Sequence, residues 1–102
     1  MKNVCKLNIA LSDNPLYISV NDQDMSINSI MEDAIKSLND SGRNFESTQL
    51  NELYKDHEVT HKGKVLGKGE LFKNMSYETR EVNNEKVNFI EFDLIKHHVG
   101  GL

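Results

Sequence analysis

The strongest pattern in this 102-residue chain is one apolar stripe at helical spacing. Apolar residues recur every three or four positions over about four turns, at Ile27, Ile30, Met31, Ala34, Ile35 and Leu38. This spacing predicts an amphipathic helix from Ser26 to Leu38. Ser26 is a suitable N-cap, and Gly42 suits the left-handed conformation that often follows a helix end. We expect the apolar face of this helix to lie across a sheet.

Alternating apolar residues before the helix predict an N-terminal β-hairpin. Residues 4–11 and 16–20 both alternate, and a turn cluster, Ser12-Asp13-Asn14-Pro15, separates them. After the helix, residues 41–47 are polar and predict a loop. A short helical turn is only weakly indicated beyond that loop, by Leu50, Leu53 and Tyr54.

The C-terminal half predicts further strands. One is centred on Val59, and a tight turn at Lys62-Gly63 joins it to a short strand at 64–66. Residues 77–82 and 86–95 then form a second hairpin around Asn83-Asn84. In the last strand the alternation slips by one position, so that strand is either covered on both faces or bulged.

The order of these elements predicts an α+β fold. We expect a mixed four- to five-stranded sheet with one main helix packed across it, and the first and last strands parallel at its centre. The length fits one domain, and 27% charged with 37% hydrophobic residues is typical of a soluble globule. A net charge of -4 without a basic stripe argues against nucleic acid as a partner. No signal peptide or membrane-spanning run is evident, which favours a cytoplasmic protein with no membrane partner.

Three segments carry a resemblance to a known family. They are the hairpin followed at once by the helix of 26–38, the segment Val59-Thr60-His61-Lys62-Gly63-Lys64-Val65-Leu66 followed by Leu71, and the segment 90–101, which ends in Gly100-Gly101. In these features the chain resembles ubiquitin and its prokaryotic ubiquitin-like relatives. The resemblance implies a ubiquitin-like β-grasp domain over residues 1–96 and a flexible tail over 97–102.

The resemblance also implies a function as a protein modifier. In this family the terminal glycine carboxylate is adenylated by ATP, passed to a cysteine thioester and joined to a target amine as an isopeptide bond. Gly101 and Gly100 are then the conjugation residues, and a processing peptidase must first remove Leu102. The partners are a ubiquitin-activating-like enzyme, a conjugating-like enzyme, that peptidase and a target protein, in a bacterial pathway. The chain itself is not an enzyme and needs no cofactor.

The resemblance further points to residues that partner enzymes recognise. His97 and His98 occupy the stretch where ubiquitin carries an arginine read by its activating enzyme, while Thr60 and Ile95 lie near positions of its apolar recognition patch. No metal site is expected at the adjacent histidines, because neighbouring side chains of an extended chain point to opposite sides.

A competing motif spans His57-Glu58-Val59-Thr60-His61, which matches the H-E-x-x-H pattern of zinc proteases. That site requires a helix, but two β-branched residues and Gly63 favour a strand here. In a strand, His57 and His61 lie about 13 Å apart, at roughly 3.3 Å per residue, too far to share one ion.

Other interpretations stay open at this stage. The chain could be a non-covalent β-grasp interaction module, a sulfur carrier or a small zinc protein. A native chain that continues beyond Leu102, or a tail that is flexible and nothing more, is also compatible with the sequence. Leu102 argues against a sulfur carrier, because the tails of such carriers end on the double glycine.

Overall fold

The centre of the sheet is the parallel pair formed by the two ends of the chain. The structure is a computed structural model that describes residues 2–9 and 14–96. In it β1 (Lys2–Ile9) runs parallel to β6 (Glu85–Lys96). The antiparallel strand β2 (Leu16–Val20) lies on the other side of β1. The predicted hairpin and central parallel pair are therefore confirmed, although β1 begins two residues earlier than predicted and residues 10–13 lie outside the described part.

Two antiparallel strands share the other edge of β6. β3 (His57–His61) pairs with its C-terminal part and β5 (Glu78–Val82) with its N-terminal part. β4 (Lys64–Val65) pairs with β3 and completes the order β2-β1-β6-β3-β4, with β5 in line with β3. Over the described ranges the sheet thus has six strands. The predicted α+β β-grasp architecture is confirmed, with one strand more than expected.

The predicted helix is α1 (Ile27–Asp40), which covers one face of the sheet. The Ser26 hydroxyl caps it by accepting a hydrogen bond from the Ser29 amide at 3.1 Å. After the helix, Gly42 has a φ of +82°, the left-handed conformation expected there. The core lies between this helix and the sheet and includes the fully buried Phe72, from the short 3₁₀ turn Phe72–Asn74.

The loop predicted at 41–47 is confirmed only for residues 41–43, because a second helix, α2, occupies Asn44–Asp56. The weakly indicated helical turn at Leu50, Leu53 and Tyr54 is part of this longer helix. It packs against α1 through only three buried side chains, Ser47, Leu50 and Tyr54. Ser47 is buried because its hydroxyl donates to the Ile35 carbonyl at 2.8 Å. Because this contact face includes a serine, the sequence of α2 shows only a weak apolar repeat. Arg43, at the N-cap position, makes no side-chain capping hydrogen bond, so the start of α2 also lacks a capping signal.

The N-terminal half of β6 is buried on both faces, which explains the slip in its alternation. Ile90, Phe92 and Leu94 face the helices, whereas Val87 and Phe89 are buried on the opposite face. There the guanidinium of Arg80 covers Phe89, at 4.2 Å from the ring centroid. Pairing with β1 continues through this region without a break, so the strand is covered on both faces and not bulged there.

The predicted turns adopt the expected backbone conformations. Lys62 and Gly63 have φ of 51° and 81°, and Asn83 and Asn84 have φ of 51° and 66°. Such positive φ values suit two-residue hairpin turns. Neither helix of the described residues is long and apolar enough to cross a membrane.

The contact between α2 and α1 can be tested with two neighbouring alanine variants. Leu50 is 1% exposed, so Leu50→Ala should lower the free energy of unfolding by about 3 kcal/mol through lost burial and a residual cavity. The exposed neighbour in Gln49→Ala should change it by less than about 0.5 kcal/mol. Urea denaturation measures both, and equal effects would show that α2 does not pack as described.

Candidate conjugation and recognition site

The residues predicted to carry conjugation follow the last described residue. Gly100, Gly101 and Leu102, together with His97 and His98, lie outside the described residues. The strand that leads to them is well defined, since the last residues of β6 still pair with β3. Ile95 lies opposite Glu58, and Lys96 lies opposite His57. The predicted tail therefore follows a strand that is hydrogen-bonded within the sheet, between β1 and β3.

The two predicted recognition residues of the domain lie on one face of the sheet. Val59 and Leu94 point into the core, so their neighbours Thr60 and Ile95 point to the face opposite the helices. Ile95 is 48% exposed, but Thr60 is only 3% exposed and its hydroxyl donates to the Asp93 carbonyl at 3.1 Å. Ile95 is accessible to a partner, whereas Thr60 lies beneath the surface.

Val65 belongs to the same face and was not identified from the sequence. It lies directly opposite Thr60 in the β3–β4 pair and is 51% exposed. Val65 and Ile95 are thus two exposed apolar side chains on either side of the buried Thr60, next to the end of β6. The two-residue turn at Lys62-Gly63 sets this register, so the predicted turn could have placed Val65 opposite Thr60.

A polar network orders the sheet beside these apolar residues. The side-chain amide of Asn8 donates to the Glu91 carboxylate at 2.5 Å and to the Asp93 carboxylate at 3.0 Å. The Lys6 ammonium lies 3.6 Å from the Glu91 carboxylate. The hydrogen bond from Asn8, with a smaller contribution from Lys6, holds the pKa of Glu91 below its ordinary value. The ionised form of the Glu91 carboxylate is therefore favoured on β6.

His61 makes a structural hydrogen bond that was not predicted from the sequence. Pairing of β3 with β6 ends at Asp93, and pairing of β5 begins at Phe89, which leaves a gap at Glu91. The Nδ1 atom of His61 lies 2.9 Å from the Glu91 carbonyl in this gap, so its N–H supplies a donor where no strand pairs. Its Nε2 atom is buried and has no hydrogen-bond partner among the described residues.

The H-E-x-x-H segment is strand β3, as its β-branched residues predicted. His57 and His61 have separate partners, because His57 Nδ1 lies 2.8 Å from the Asp56 carboxylate while His61 contacts Glu91. The bond from His57 is the main cause that lowers the pKa of Asp56. Residues 2–9 and 14–96 contain no group of three His, Cys, Asp or Glu side chains placed to hold a metal.

The class that these features define is the ubiquitin-like β-grasp fold, with a mixed sheet, a helix across it and a final central strand. Among solved structures the chain is similar to ubiquitin from Caldiarchaeum subterraneum, with a TM-score of 0.58 and 18% sequence identity. The match covers 99% of this chain and 100% of that one. No protein-family model and no curated protein matches the sequence. At this level of identity, the similarity establishes the fold.

The hydrogen bond from Asn8 to Glu91 predicts a measurable pKa change. Asn8→Ala should raise the pKa of Glu91 toward its ordinary value, because the main stabiliser of the ionised carboxylate is lost. Carboxyl-carbon NMR titration measures this, with Asn51→Ala on the exposed face of α2 as the matched control. No change in the Asn8 variant would contradict the described network.

The hydrogen bond from Asn8 to Glu91 also determines the direction in which the stability of the fold changes with pH. A lowered folded-state pKa contributes stability above the unfolded-state value, about 4.3 for Glu, and this stability is lost as the pH falls through the lowered folded-state pKa. Glu91→Gln should therefore flatten the acid side of the stability–pH curve, as measured by urea denaturation at a series of pH values. An unchanged acid side would show that Glu91 does not contribute.

Proposed function

We propose that this chain is a ubiquitin-like protein modifier made as a precursor. Removal of Leu102 exposes Gly101, which an ATP-dependent activating enzyme then activates for conjugation to target amines. The observation that carries the proposal is the position of Gly100-Gly101, directly downstream of the central strand of a ubiquitin-like fold. The pathway we favour is bacterial and cytoplasmic.

The chemistry requires activation because a free carboxylate is a poor electrophile. Attack of the Gly101 carboxylate on the α-phosphate of ATP forms an acyl-adenylate and releases pyrophosphate. A cysteine thiolate of the activating enzyme then attacks the acyl carbon and releases AMP, which leaves a thioester. A target lysine amine displaces the thiolate to form an isopeptide bond. Every catalytic group in these three reactions belongs to a partner enzyme. This chain supplies only the acyl group.

Glycine at both positions suits this role. A tail that enters a narrow channel of an activating enzyme, a conjugating enzyme or a peptidase cannot carry a Cβ next to the reacting carbonyl without widening the channel. Gly100 and Gly101 meet this requirement, and Leu102 does not. Removal of Leu102 therefore gives both a free carboxylate and a tail end of minimal width.

The recognition surface of this modifier is the apolar pair next to the tail. Ile95 and Val65 are both about half exposed on the face opposite the helices, and Ile95 lies one residue before the end of β6. Gly101 follows Ile95 by six residues, a reach of at most about 20 Å at roughly 3.3 Å per residue, so a partner that holds Gly101 in its active site can also contact this pair. His97 and His98 lie between the pair and the double glycine, where they add hydrogen-bonding groups for an activating enzyme.

Thioester formation tests the proposal. A form that ends at Gly101, incubated with ATP and the activating enzyme of its own pathway, should give a covalent complex that survives denaturation and is cleaved by thiol reductant. The full chain with Leu102 retained should give none until its peptidase is added. Ile95→Asp should weaken complex formation by about tenfold if recognition is worth the 1–2 kcal/mol typical of an apolar interface contact. Thr48→Asp on the exposed face of α2 is its control.

The main alternative, a non-covalent interaction module, predicts the opposite outcome. Deletion of residues 100–102 would then leave function intact in the native host, and the form ending at Gly101 would give no thioester. That pair of results would overturn the modifier proposal while leaving the β-grasp fold untouched.

A further inference from the structure

Positive charge is concentrated at the turn between β3 and β4 and in the loop that follows it. Residues 59–69 contain Lys62, Lys64 and Lys68 and no acidic residue, although the whole chain has a net charge of -4. All three lysines are exposed. This part of the surface therefore attracts anionic groups, whereas the net charge of the chain repels them.

Two of these lysines are not neutralised within the domain. Lys62 and Lys64 form no ion pair among the residues that the structure describes. The next lysines on either side of this segment are both paired, Lys55 with a glutamate at 3.3 Å and Lys73 with an aspartate at 2.7 Å. The ammonium groups of Lys62 and Lys64 can therefore bind carboxylates of a partner without giving up an existing pair.

An apolar cavity, the hairpin pocket, lies beside these lysines between the β3–β4 hairpin and helix α1. Its volume is about 210 Å³, and its apolar lining includes Ile27 of α1, Val59 of β3 and Leu66. That volume is below the roughly 300–1,000 Å³ of sites for drug-sized ligands, so the pocket suits a single side chain of a partner. Lys68 also lines the pocket, with its ammonium 4.8 Å from the centroid of the Tyr54 ring.

Strand pairing and backbone hydrogen bonds fix the lysines relative to the hairpin pocket. Lys64 lies directly opposite His61, which follows Val59 by two residues, so Lys64 and Val59 lie on the same side of the sheet. In the first turn of α1, the Asn28 amide donates to the Lys68 carbonyl at 2.9 Å, which joins the loop to the helix. A partner can therefore bind here without first ordering the loop, which reduces the entropic cost of binding.

The acidic residues near the hairpin pocket determine where a charged partner can lie. Glu58 lines the pocket, but it precedes Val59 in the strand, so its side chain starts on the face opposite the helices. On the helix side, burial raises the pKa of Tyr54 and the negative charge of Glu32 adds to this rise. A partner with an apolar side chain in the pocket therefore directs its carboxylates toward the hairpin lysines and away from the helices.

An acidic protein segment fits this site better than a nucleic acid. Three lysines neutralise few phosphates, and the chain as a whole carries negative charge. A nucleic acid also has no aliphatic side chain that the hairpin pocket could hold. A protein segment offers both groups, an apolar side chain for the pocket and carboxylates for the lysines.

We propose that the hairpin pocket and its lysines form a docking site for an acidic segment of a partner protein. One aliphatic side chain of the segment fills the pocket, and the carboxylates next to it pair with Lys62 and Lys64. The site does not include Gly101, so this interaction does not rest on the proposed conjugation.

A synthetic peptide and two charge-matched double variants test the docking site. The probe is an acetylated and amidated peptide in which one leucine precedes four glutamates. Titrated into the full chain at low salt, it should shift backbone amide NMR signals of residues 57–68. Lys62→Glu combined with Lys64→Glu should weaken binding by about tenfold or more, because attraction becomes like-charge repulsion. Lys36→Glu combined with Lys86→Glu changes the net charge equally at exposed positions elsewhere and should keep the affinity within about twofold.

A second peptide tests the hairpin pocket separately from the lysines. With serine in place of the leucine, the probe should bind about tenfold more weakly or worse, because burial of a leucine side chain contributes about 1.5–3 kcal/mol. Equal binding by the two peptides would show that no apolar side chain enters the pocket, and would refute the proposal.

Other results would also overturn it. An absence of shifts at millimolar peptide, shifts on a different surface, or equal binding by the variant with both hairpin lysines reversed would each do so. Tighter binding by a single-stranded oligonucleotide of the same charge would identify a nucleic acid as the occupant instead. Concentration-dependent shifts of residues 57–68 without peptide would identify a second copy of this chain.

Discussion

The parallel pair of β1 and β6 is the interaction on which the rest of the structure depends. It joins the two ends of the described chain, and both Cys5–Ile90 and Leu7–Phe92 meet within it as fully or almost fully buried neighbours. Strands this far apart in sequence pair only after a long loop is closed, so burial of their side chains has to compensate that entropy. Helix α1 covers the pair, and β2, β3 and β5 pair along its outer edges.

Burial at this central pair of strands also determines the reactivity and the polarity of the residues within it. Burial raises the pKa of the Cys5 thiol well above its ordinary value, so Cys5 is an unreactive strand residue. Because the N-terminal half of β6 is covered on both faces, the apolar content of the strand exceeds what one buried face requires. The same strand ends at Lys96, which is still paired with His57 of β3, and the segment that carries the double glycine follows it in the sequence.

Elements with a strong local pattern could be predicted from the sequence, and those that depend on tertiary contacts could not. The stripe in α1 and the alternation in β1 and β6 reflect burial against one large core, so periodicity locates them. Helix α2 rests on α1 through a mixed face that includes Ser47, and this face has no clear period. The same holds for the candidate site. Ile95 follows from alternation and Val65 from the two-residue turn at Lys62-Gly63, but the gap filled by His61 exists only once β3 and β5 are both in register on β6.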